Sequence, residues 1–260
     1  MASDISPKAE ISPKARIGDN CKIFPFVYIE DDVVIGDNCI IFPFVSILNG
    51  TRMGSHNKVH QGSVLAALPQ DFNFCGEKSE LIIGNNNIIR ENVVINRATH
   101  SGCQTIIGND NFLMEGTHIS HDTKIADRCV FGYGTKIAGD CEIGNGAIFS
   151  SSVIENAKTR VGEGAMIQAG TTFSKDVPPY IIAGGKPVGY NGVNTTMMTA
   201  YSIDEKVQKH VANAYRLVFN GQNSVFDAVL QINDQVPDSV EIRNIVNFIN
   251  STKVGIIGKM

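Results

Sequence analysis

Aliphatic residues recur at every sixth position along most of this 260-residue chain. An α-helix repeats its apolar positions about every 3.6 residues and a strand about every second residue, so neither explains this spacing. A fixed short period indicates stacked identical units, and a six-residue period is typical of a parallel β-helix. The positions in register are Ile5, Ile11, Ile17, Ile23, Ile29, Ile35, Ile41, Ile47, Met53, Val59, Leu65, then Ile83, Ile89, Ile95, then Ile107, Leu113, Ile119, Ile125, Phe131, Ile137, Ile143, Phe149, and, after a lapse at Glu155, Val161, Ile167 and Phe173.

The residues between the aliphatic positions complete this pattern. The fourth residue after each aliphatic is nearly always small, and Gly-Asp-Asn or Gly-Asn-Asn often lies between. Glycine, asparagine and aspartate tolerate the left-handed backbone of a tight turn. The pattern predicts a triangular coil with one short strand per side and three six-residue units, 18 residues, per turn. Coils stack about 4.8 Å apart, so residues 18 apart in sequence lie above one another.

The cysteines follow the same pattern. Four of the six occupy the small inward slot of the repeat, two lie in its interruptions, and no C-x-x-C spacing occurs. We therefore predict small buried side chains rather than a zinc or redox site. The four inward cysteines are Cys21, Cys39, Cys129 and Cys141, and the other two are Cys75 and Cys103.

The interruptions and the end of the repeat divide the chain. The register breaks at 66–80 and 98–105, which we predict to be loops leaving the prism, where function is commonly carried. The prolines of the segment after Phe173 stop the coil, and beyond about Ser202 the apolar spacing becomes helical. We expect a β-helix domain at 1–190 and a helical domain of three or four helices at 191–260.

Charge and hydropathy exclude several functions. The formal net charge is −4, and the basic residues are scattered rather than clustered, so nucleic-acid binding is not expected. No apolar run approaches the length of a membrane span, and the first ten residues lack the basic flank and apolar core of a signal peptide. We expect a cytoplasmic protein without a membrane span.

Two of the six histidines lie close together in one segment, M-E-G-T-H-I-S-H-D-T-K at Met114–Lys124. His118 and His121 lie three residues apart, and Asp122 follows the second histidine directly. The cluster is either a general base with an orienting carboxylate, a metal site, or polar decoration of the repeat. A histidine takes up a proton near neutral pH, which suits a base. The coil above offers Lys136, Gly139 and Asp140, and we expect it to supply no third ligand for a metal.

Several motifs connect this pattern to a known family. A left-handed hexapeptide β-helix followed by a helical domain resembles the acyltransferases of lipid A synthesis, in particular the UDP-N-acetylglucosamine O-acyltransferases. The resemblance covers essentially the whole chain, and H-x-x-H-D combined with R-E-x-V-x-I-x-R and D-V-P-P-Y is specific. The matching segments are Pro69–Phe72, Ile83–Arg97, His118–Asp122, Ser174–Gly184, Gly192–Asn194 and Asn213–Val218.

The resemblance implies a reaction and roles for individual residues. An acyl chain, with a 3-hydroxyacyl group expected, passes from acyl carrier protein to the 3-hydroxyl of UDP-N-acetylglucosamine, without metal or bound cofactor. His121 is the implied base, Asp122 its orienting carboxylate, and the backbone N–H of Gly139 the oxyanion donor. The implied substrate-binding residues are Gln70, Asp71 and His118 on the sugar and Asn194 on the nucleotide.

The family also implies a homotrimer whose active site lies between neighbouring prisms. Ala169 stands where family members often carry glycine at a position that governs acyl length. Its extra methyl group is expected to shorten the acyl pocket slightly. The apolar Phe24–Phe26 and Phe42–Phe44 segments are compatible with a buried interface.

Six positions differ from the residues that the family carries there, and several of the losses are of positive charge. Three interpretations remain open: the family reaction, acyl transfer to another nucleotide sugar, for example at an amine, or a non-catalytic trimeric binding protein. The six are Asn73, Asp140, Asn156, Thr196, Ala200 and Tyr201.

Overall fold

The computed structural model describes residues 3–220 and 224–259, and it is a β-helix with helices near its C-terminal end. Three parallel sheets form the three sides of a prism. The first side, which ends in an antiparallel strand and a short C-terminal strand, contains Asp4–Ile5, Lys22–Ile23, Ile40–Ile41, Lys58–Val59, Ile88–Ile89, Phe112–Leu113, Val130–Phe131, Ile148–Phe149, Met166–Ile167, Ile181–Gly184, Gly189–Val193 and Gly258–Lys259.

The second side contains Glu10–Ile11, Tyr28–Ile29, Ser46–Ile47, Val64–Ala67, Val94–Asn96, His118–Ile119, Lys136–Ile137, Ile154–Glu155 and Thr172–Phe173. The third side contains Arg16–Ile17, Val33–Ile35, Thr51–Met53, Glu80–Ile83, Gln104–Ile107, Lys124–Ile125, Glu142–Ile143 and Arg160–Val161.

The strand register confirms the predicted coil. Ile5 pairs with Ile23, and Ile23 pairs with Ile41, so neighbouring strands are separated by one full turn of the coil wherever no loop intervenes. From Ile23 onwards the apolar residues in register fill the prism interior, and the four inward cysteines are buried among them, whereas Ile5 at the open end of the coil is exposed. Burial raises the pKa of Cys39 to about 11, so this thiol stays protonated and unreactive.

The predicted lapse at Glu155 is a buried carboxyl group. Its side chain points into the prism with no exposed surface, and Thr159 Oγ1 donates to Glu155 Oε1 at 2.9 Å. The other oxygen, Oε2, has no hydrogen-bond partner among the described residues. Burial raises the pKa of Glu155 well above its ordinary value, so the interior holds the neutral acid.

Both loops are shorter than the interruptions of the register. The strand Val64–Ala67 runs into the first one, so the first loop spans 68–79 rather than 66–80. The second loop spans 97–103 rather than 98–105, because Gln104–Ile107 is already a strand. The expected domain boundary after residue 190 falls inside the strand Gly189–Val193, which pairs back onto the prism.

Four helices follow: α1 (Thr195–Ala200), α2 (Glu205–Asn220), α3 (Val225–Gln235) and α4 (Val240–Asn250). Ser224 and Ser239 cap α3 and α4 by accepting a backbone N–H. No helix within the described residues is both long and apolar enough to cross a membrane.

Several polar contacts fasten the helices to the end of the coil, among them those of Tyr215 and of Arg160. Tyr215 of α2 donates its hydroxyl to the Pro179 carbonyl at 2.6 Å. Arg160 pairs with the buried Asp176 at 2.9 Å, and its guanidinium lies 4.4 Å from the Phe248 ring of α4. The helical segment therefore packs on the last coils, above the region that carries His121.

Candidate active site

His121 and Asp122 lie at one corner of the prism. Asp122, Asp140 and Lys158 stack there in successive coils, each with a left-handed backbone, at φ of 59°, 61° and 65°. We call this stack the histidine corner. The turn directs side chains outward, while Ile119, two residues before His121, is fully buried in the interior. The six-residue period thus separates the chemical side chains from the core.

The imidazole of His121 is held through its Nδ1 atom. Asp122 Oδ2 and Thr99 Oγ1 each lie 2.9 Å from Nδ1, and only 9% of the residue is exposed. An ionised carboxylate can only accept a hydrogen bond, so the contact with Asp122 assigns the ring proton to Nδ1. Nε2 is then left with a free lone pair, which is the state a general base requires.

Asp71 faces the free side of the ring. Its Oδ2 lies 3.6 Å from His121 Nε2, and its Oδ1 accepts the backbone N–H of Asn73 at 2.7 Å. That backbone N–H lowers the pKa of Asp71, which keeps the carboxylate ionised. The first loop therefore brings a negative charge and an acceptor to the atom that would receive a proton.

Gly139 lies directly against the ring. A Cβ atom at this position would come within 2.5 Å of His121 Cε1 and 2.7 Å of Nε2. Any side chain would therefore displace the base, and the close approach of backbone to ring requires glycine. Among the described residues, no acceptor is recorded for the Gly139 N–H.

A cavity of 280 Å³ opens at this corner, lined by Asp71, His121, Gly139, Asp140 and Lys158 among others. A neighbouring cavity of 470 Å³ shares Asp140 and Lys158 with it, and we call the two cavities together the groove. The Lys158 ammonium has no ion-pair partner within the described part of the chain. The groove thus contains an unpaired positive charge near the base.

Two other expected site residues, Gln70 and His118, do not line this cavity. Gln70 is exposed in the first loop and lines a separate pocket beside Asp71. His118 is half-buried on the strand before the corner, in register with Lys136, and is absent from the lining of the described cavity. Burial lowers the pKa of His118, and the Lys136 charge adds to that effect, so His118 is neutral at pH 7.

Asn194 and Ala169 do not meet His121 in a single chain. Asn194 is buried at the N-cap of α1, where its Oδ1 accepts the Met197 N–H and its Nδ2 donates to the Gly164 carbonyl. Gly164 belongs to a second corner, formed by Arg128, Gly146 and Gly164. Ala169 is exposed at the third corner, formed by Gly116, Gly134, Ser152 and Gly170.

The alternative of a metal site finds no geometric support. Within residues 3–220 and 224–259, no group of three or more histidine, cysteine, aspartate or glutamate side chains is arranged to hold a metal ion. His121 and Asp122 instead bond to each other through Nδ1. The arrangement fits a base with its orienting carboxylate.

Comparison with known proteins gives matches over nearly the whole chain. Residues 176–257 match the family model of domain 2 of the UDP N-acetylglucosamine O-acyltransferases, and residues 14–41 and 104–139 match the bacterial hexapeptide transferase model. A curated acyl-[acyl-carrier-protein]–UDP-N-acetylglucosamine O-acyltransferase of Xanthomonas campestris is 36% identical over 251 residues, covering 96% of this chain and 95% of that protein. The Xylella fastidiosa relative is 34% identical over 97% of both chains.

The chain belongs to the UDP-N-acetylglucosamine O-acyltransferase family.

Solved structures of the family superpose closely on this chain. The Bacteroides fragilis UDP-N-acetylglucosamine acyltransferase matches with a TM-score of 0.96 and 46% identity, covering 97% of this chain and 99% of that one. The Francisella novicida enzyme matches with a TM-score of 0.95 and 29% identity, covering 98% and 94%. The parallel β-helix predicted from the six-residue period, and its left-handedness implied by the family resemblance, are thereby confirmed.

The six positions at which this chain differs from the residues implied by the family resemblance lie in three places. Asn73 and Asp140 are exposed and line the cavity beside His121, while Asn156 is exposed in the coil above. Thr196, Ala200 and Tyr201 lie in or just after α1 at the second corner. There the Arg128 guanidinium lies 4.9 Å from the centre of the Tyr201 ring, so a cation from the coil lies beside the position where the family carries arginine.

Thr99 and Lys158 are part of the site but were not among its expected residues. Lys158 lies one full turn of the coil beyond Asp140, so the period alone places it at the histidine corner. Thr99 has no such signal, because it lies in a loop whose path the repeat does not determine.

Proposed function

We propose that this protein transfers an acyl chain, a 3-hydroxyacyl group by family resemblance, from acyl carrier protein to the 3-hydroxyl of UDP-N-acetylglucosamine, the first step of lipid A synthesis. The observation that carries the proposal is the geometry of His121. Its Nδ1 is occupied by Asp122 at 2.9 Å, and its Nε2 faces the cavity at the histidine corner. Family membership supplies the substrate class, and the reaction is proposed to be cytoplasmic.

In the proposed reaction His121 takes one proton from the sugar hydroxyl and later gives it to the departing thiolate. The sugar hydroxyl gives its proton to His121 Nε2 while its oxygen attacks the thioester carbonyl carbon. The resulting oxyanion accepts a hydrogen bond from the Gly139 N–H, which has no acceptor among the described residues. The C–S bond then breaks, and the imidazolium returns the proton to the departing thiolate of the carrier protein. Asp122 stabilises the imidazolium through Nδ1.

Gln70, Asp71 and His118 are proposed to bind the sugar. Asp71 is proposed to accept a hydrogen bond from a sugar hydroxyl, since its Oδ2 lies 3.6 Å from His121 Nε2, the atom proposed to take the reacting proton. Lys158 is proposed to hold an anionic part of a substrate, because its charge is unpaired within the described chain and lines the groove. It compensates in part for the basic residues that the family carries nearby.

We propose that the protein acts as a homotrimer in which Asn194 of one copy binds the nucleotide beside His121 of the next. Asn194 contacts the second corner through Gly164, while His121 lies at the histidine corner. One prism side of six residues spans about 20 Å, so a single chain does not bring the two together.

Mixing inactive variants tests the shared site. His121→Ala removes the base, and Asn194→Ser keeps a capping oxygen on α1 but removes the amide. Each variant alone should be nearly inactive, and subunits exchanged between them should recover part of the wild-type rate. No recovery in mixed trimers, verified by mass spectrometry, contradicts a site shared between copies.

The activity itself is tested with UDP-N-acetylglucosamine and a panel of acyl carrier protein thioesters, beside His121→Ala. We expect acyl transfer that the variant reduces by at least about 1,000-fold. A wild-type rate no higher than that of the variant with every donor and acceptor contradicts the proposal.

A second acceptor is favoured by the altered side chains at positions 73 and 140, which flank the base. A UDP-sugar carrying an amine at C3 belongs in the same panel. Faster transfer to the amine than to the hydroxyl identifies the protein as a family member with a changed acceptor. Binding of UDP-sugars without transfer to either acceptor identifies a binding protein.

A further inference from the structure

The second loop and the strand that follows it both contact the catalytic pair. Thr99 Oγ1, in the loop, lies 2.9 Å from His121 Nδ1, and the Thr99 backbone N–H donates to Asp122 Oδ2 at 3.0 Å. In the strand Gln104–Ile107, Thr105 Oγ1 accepts the Asp122 backbone N–H at 2.9 Å. Both threonines are buried, with 2% and 0% exposed. These contacts join the loop to the two residues assigned the proton transfer.

The chemistry of Nδ1 decides what the Thr99 hydroxyl does. Nδ1 carries one proton, and the ionised Asp122 carboxylate requires that proton to point towards it. Thr99 Oγ1 lies at the same distance, so it accepts the second branch of a shared hydrogen bond rather than donating. When Nε2 takes up the substrate proton, the ring becomes positive, and both oxygens then stabilise it.

The loop that carries Thr99 is itself fixed in place. Ser79 Oγ donates to the Ala98 carbonyl, and the Glu80 N–H donates to the Cys103 carbonyl at 3.1 Å. The Gly102 N–H donates to the Lys78 carbonyl at 3.0 Å. These bonds join the second loop to the end of the first loop, which carries Asp71. The base and the facing carboxylate are therefore held by one hydrogen-bonded pair of loops.

We propose that Thr99 is a positioning residue for His121, fixing the imidazole plane through its hydroxyl and the Asp122 carboxylate through its backbone N–H. Gly139 limits the ring on one face, Asp122 binds Nδ1 at its edge, and Thr99 removes the remaining freedom to rotate. The effect on turnover rests on the proposed acyltransferase function, whereas the effect on the ring does not.

Thr99→Val tests the hydroxyl, because valine has nearly the same shape and retains the backbone N–H. Losing one shared hydrogen bond to a charged ring should lower kcat about 10-fold and leave KM unchanged, since Thr99 is assigned no substrate contact. The acid limb of the kcat profile should move to lower pH, because the imidazolium loses an acceptor. Thr99→Ser restores the hydroxyl and should stay within about 3-fold of wild type.

Thr135→Val is the matched control. Thr135 is also fully buried in the prism, and its hydroxyl donates to the Ser150 carbonyl at 3.3 Å without contacting His121. It should lose stability comparable to Thr99→Val but keep the wild-type pH profile. Thr99→Ala provides a second hydroxyl-free variant if valine does not fold in this loop.

NMR of ¹⁵N-histidine protein gives a readout that needs no turnover. The Nδ1–H resonance of His121 should be sharp and protected from exchange in the wild type and in Thr99→Ser, and broadened in Thr99→Val or Thr99→Ala. An unchanged Nδ1–H resonance in both hydroxyl-free variants overturns the proposal, even if the protein transfers no acyl group. An active enzyme whose pH profile is the same with and without the hydroxyl overturns it as well.

Discussion

Gly139→Ala should disable the base while leaving the fold intact. The φ angle of Gly139 lies outside the left-handed region, so alanine adopts this backbone without strain. The added Cβ, however, would lie 2.5 Å from His121 Cε1, 2.7 Å from Nε2 and 3.0 Å from Nδ1. The substitution therefore acts almost entirely on the imidazole ring.

The required displacement sets the size of the effect. Ordinary contact with a Cβ begins at 3.4 Å, so the nearest ring atom must move by 3.4 − 2.5 = 0.9 Å. The ring cannot make that move and keep both 2.9 Å contacts at Nδ1. A misplacement of about 1 Å in a reacting group costs about 100-fold in rate, so kcat should fall about 100-fold. Overpacking should cost only about 1–3 kcal/mol of stability.

Steady-state acyl transfer and thermal unfolding check the two halves of this prediction. Gly258→Ala is the control, since its Cβ would meet nothing within 4 Å and its φ is also outside the left-handed region. It should keep the wild-type kcat and melting temperature. A Gly139→Ala enzyme with wild-type kcat would show that the observed ring position is not the one used in catalysis, and would refute the reasoning.

Three further substitutions test other parts of the structure. Glu155→Gln should remove a pH dependence of folding stability. Because the pKa of Glu155 is raised, the folded state retains a proton that the unfolded chain releases above about pH 4.5, and wild-type stability falls by up to about 1.4 kcal/mol per pH unit as pH rises. The melting temperature measured from pH 5 to 8 should therefore vary less with pH in the variant than in the wild type. Arg160→Ala leaves the buried Asp176 without its ion-pair partner and should lower the free energy of unfolding, measured with denaturant, by about 3–5 kcal/mol. A loss below about 1 kcal/mol would contradict a stabilising role of the Arg160–Asp176 pair. Ala169→Gly should shift the preferred donor to a longer acyl chain in competition assays, and an unchanged preference would remove Ala169 from the acyl pocket.

The prism could be predicted from sequence because its period is unusual and long. Ile23 lies above Ile5 since uninterrupted coils all have the same length, and no other regular structure buries every sixth side chain. The ends of the elements were less predictable. The strands Val64–Ala67 and Gln104–Ile107 run into the interruptions, because strand pairing with neighbouring coils continues beyond the apolar positions. Helix α1 has too few residues to show a helical period.

The site was predictable where it follows the repeat, but not where it leaves it. Counting whole coils along the chain places His121 beneath Gly139 and Asp140, and the Asp140 N–H indeed donates to the His121 carbonyl at 3.1 Å. Thr99 reaches the ring from a loop whose conformation depends on hydrogen bonds to another loop. Asn194 lies beyond the repeat, so its position at a different corner became evident only from its bond to Gly164.

The altered residues near the base also bear on which function this chain performs. The backbone N–H groups of Asn73 and Asp140 donate to Asp71 Oδ1 and to the His121 carbonyl, and the Asn73 side chain adds a weaker hydrogen bond that also lowers the pKa of Asp71. Many other residues at these two positions would supply the same N–H groups, so their side chains can change without moving the imidazole. The parts that do depend on residue identity, Asp122 and Gly139, are present. Divergence of this kind alters what the groove binds while the proton-transfer geometry persists, which favours a working acyltransferase with a modified substrate contact over a protein that has lost its chemistry.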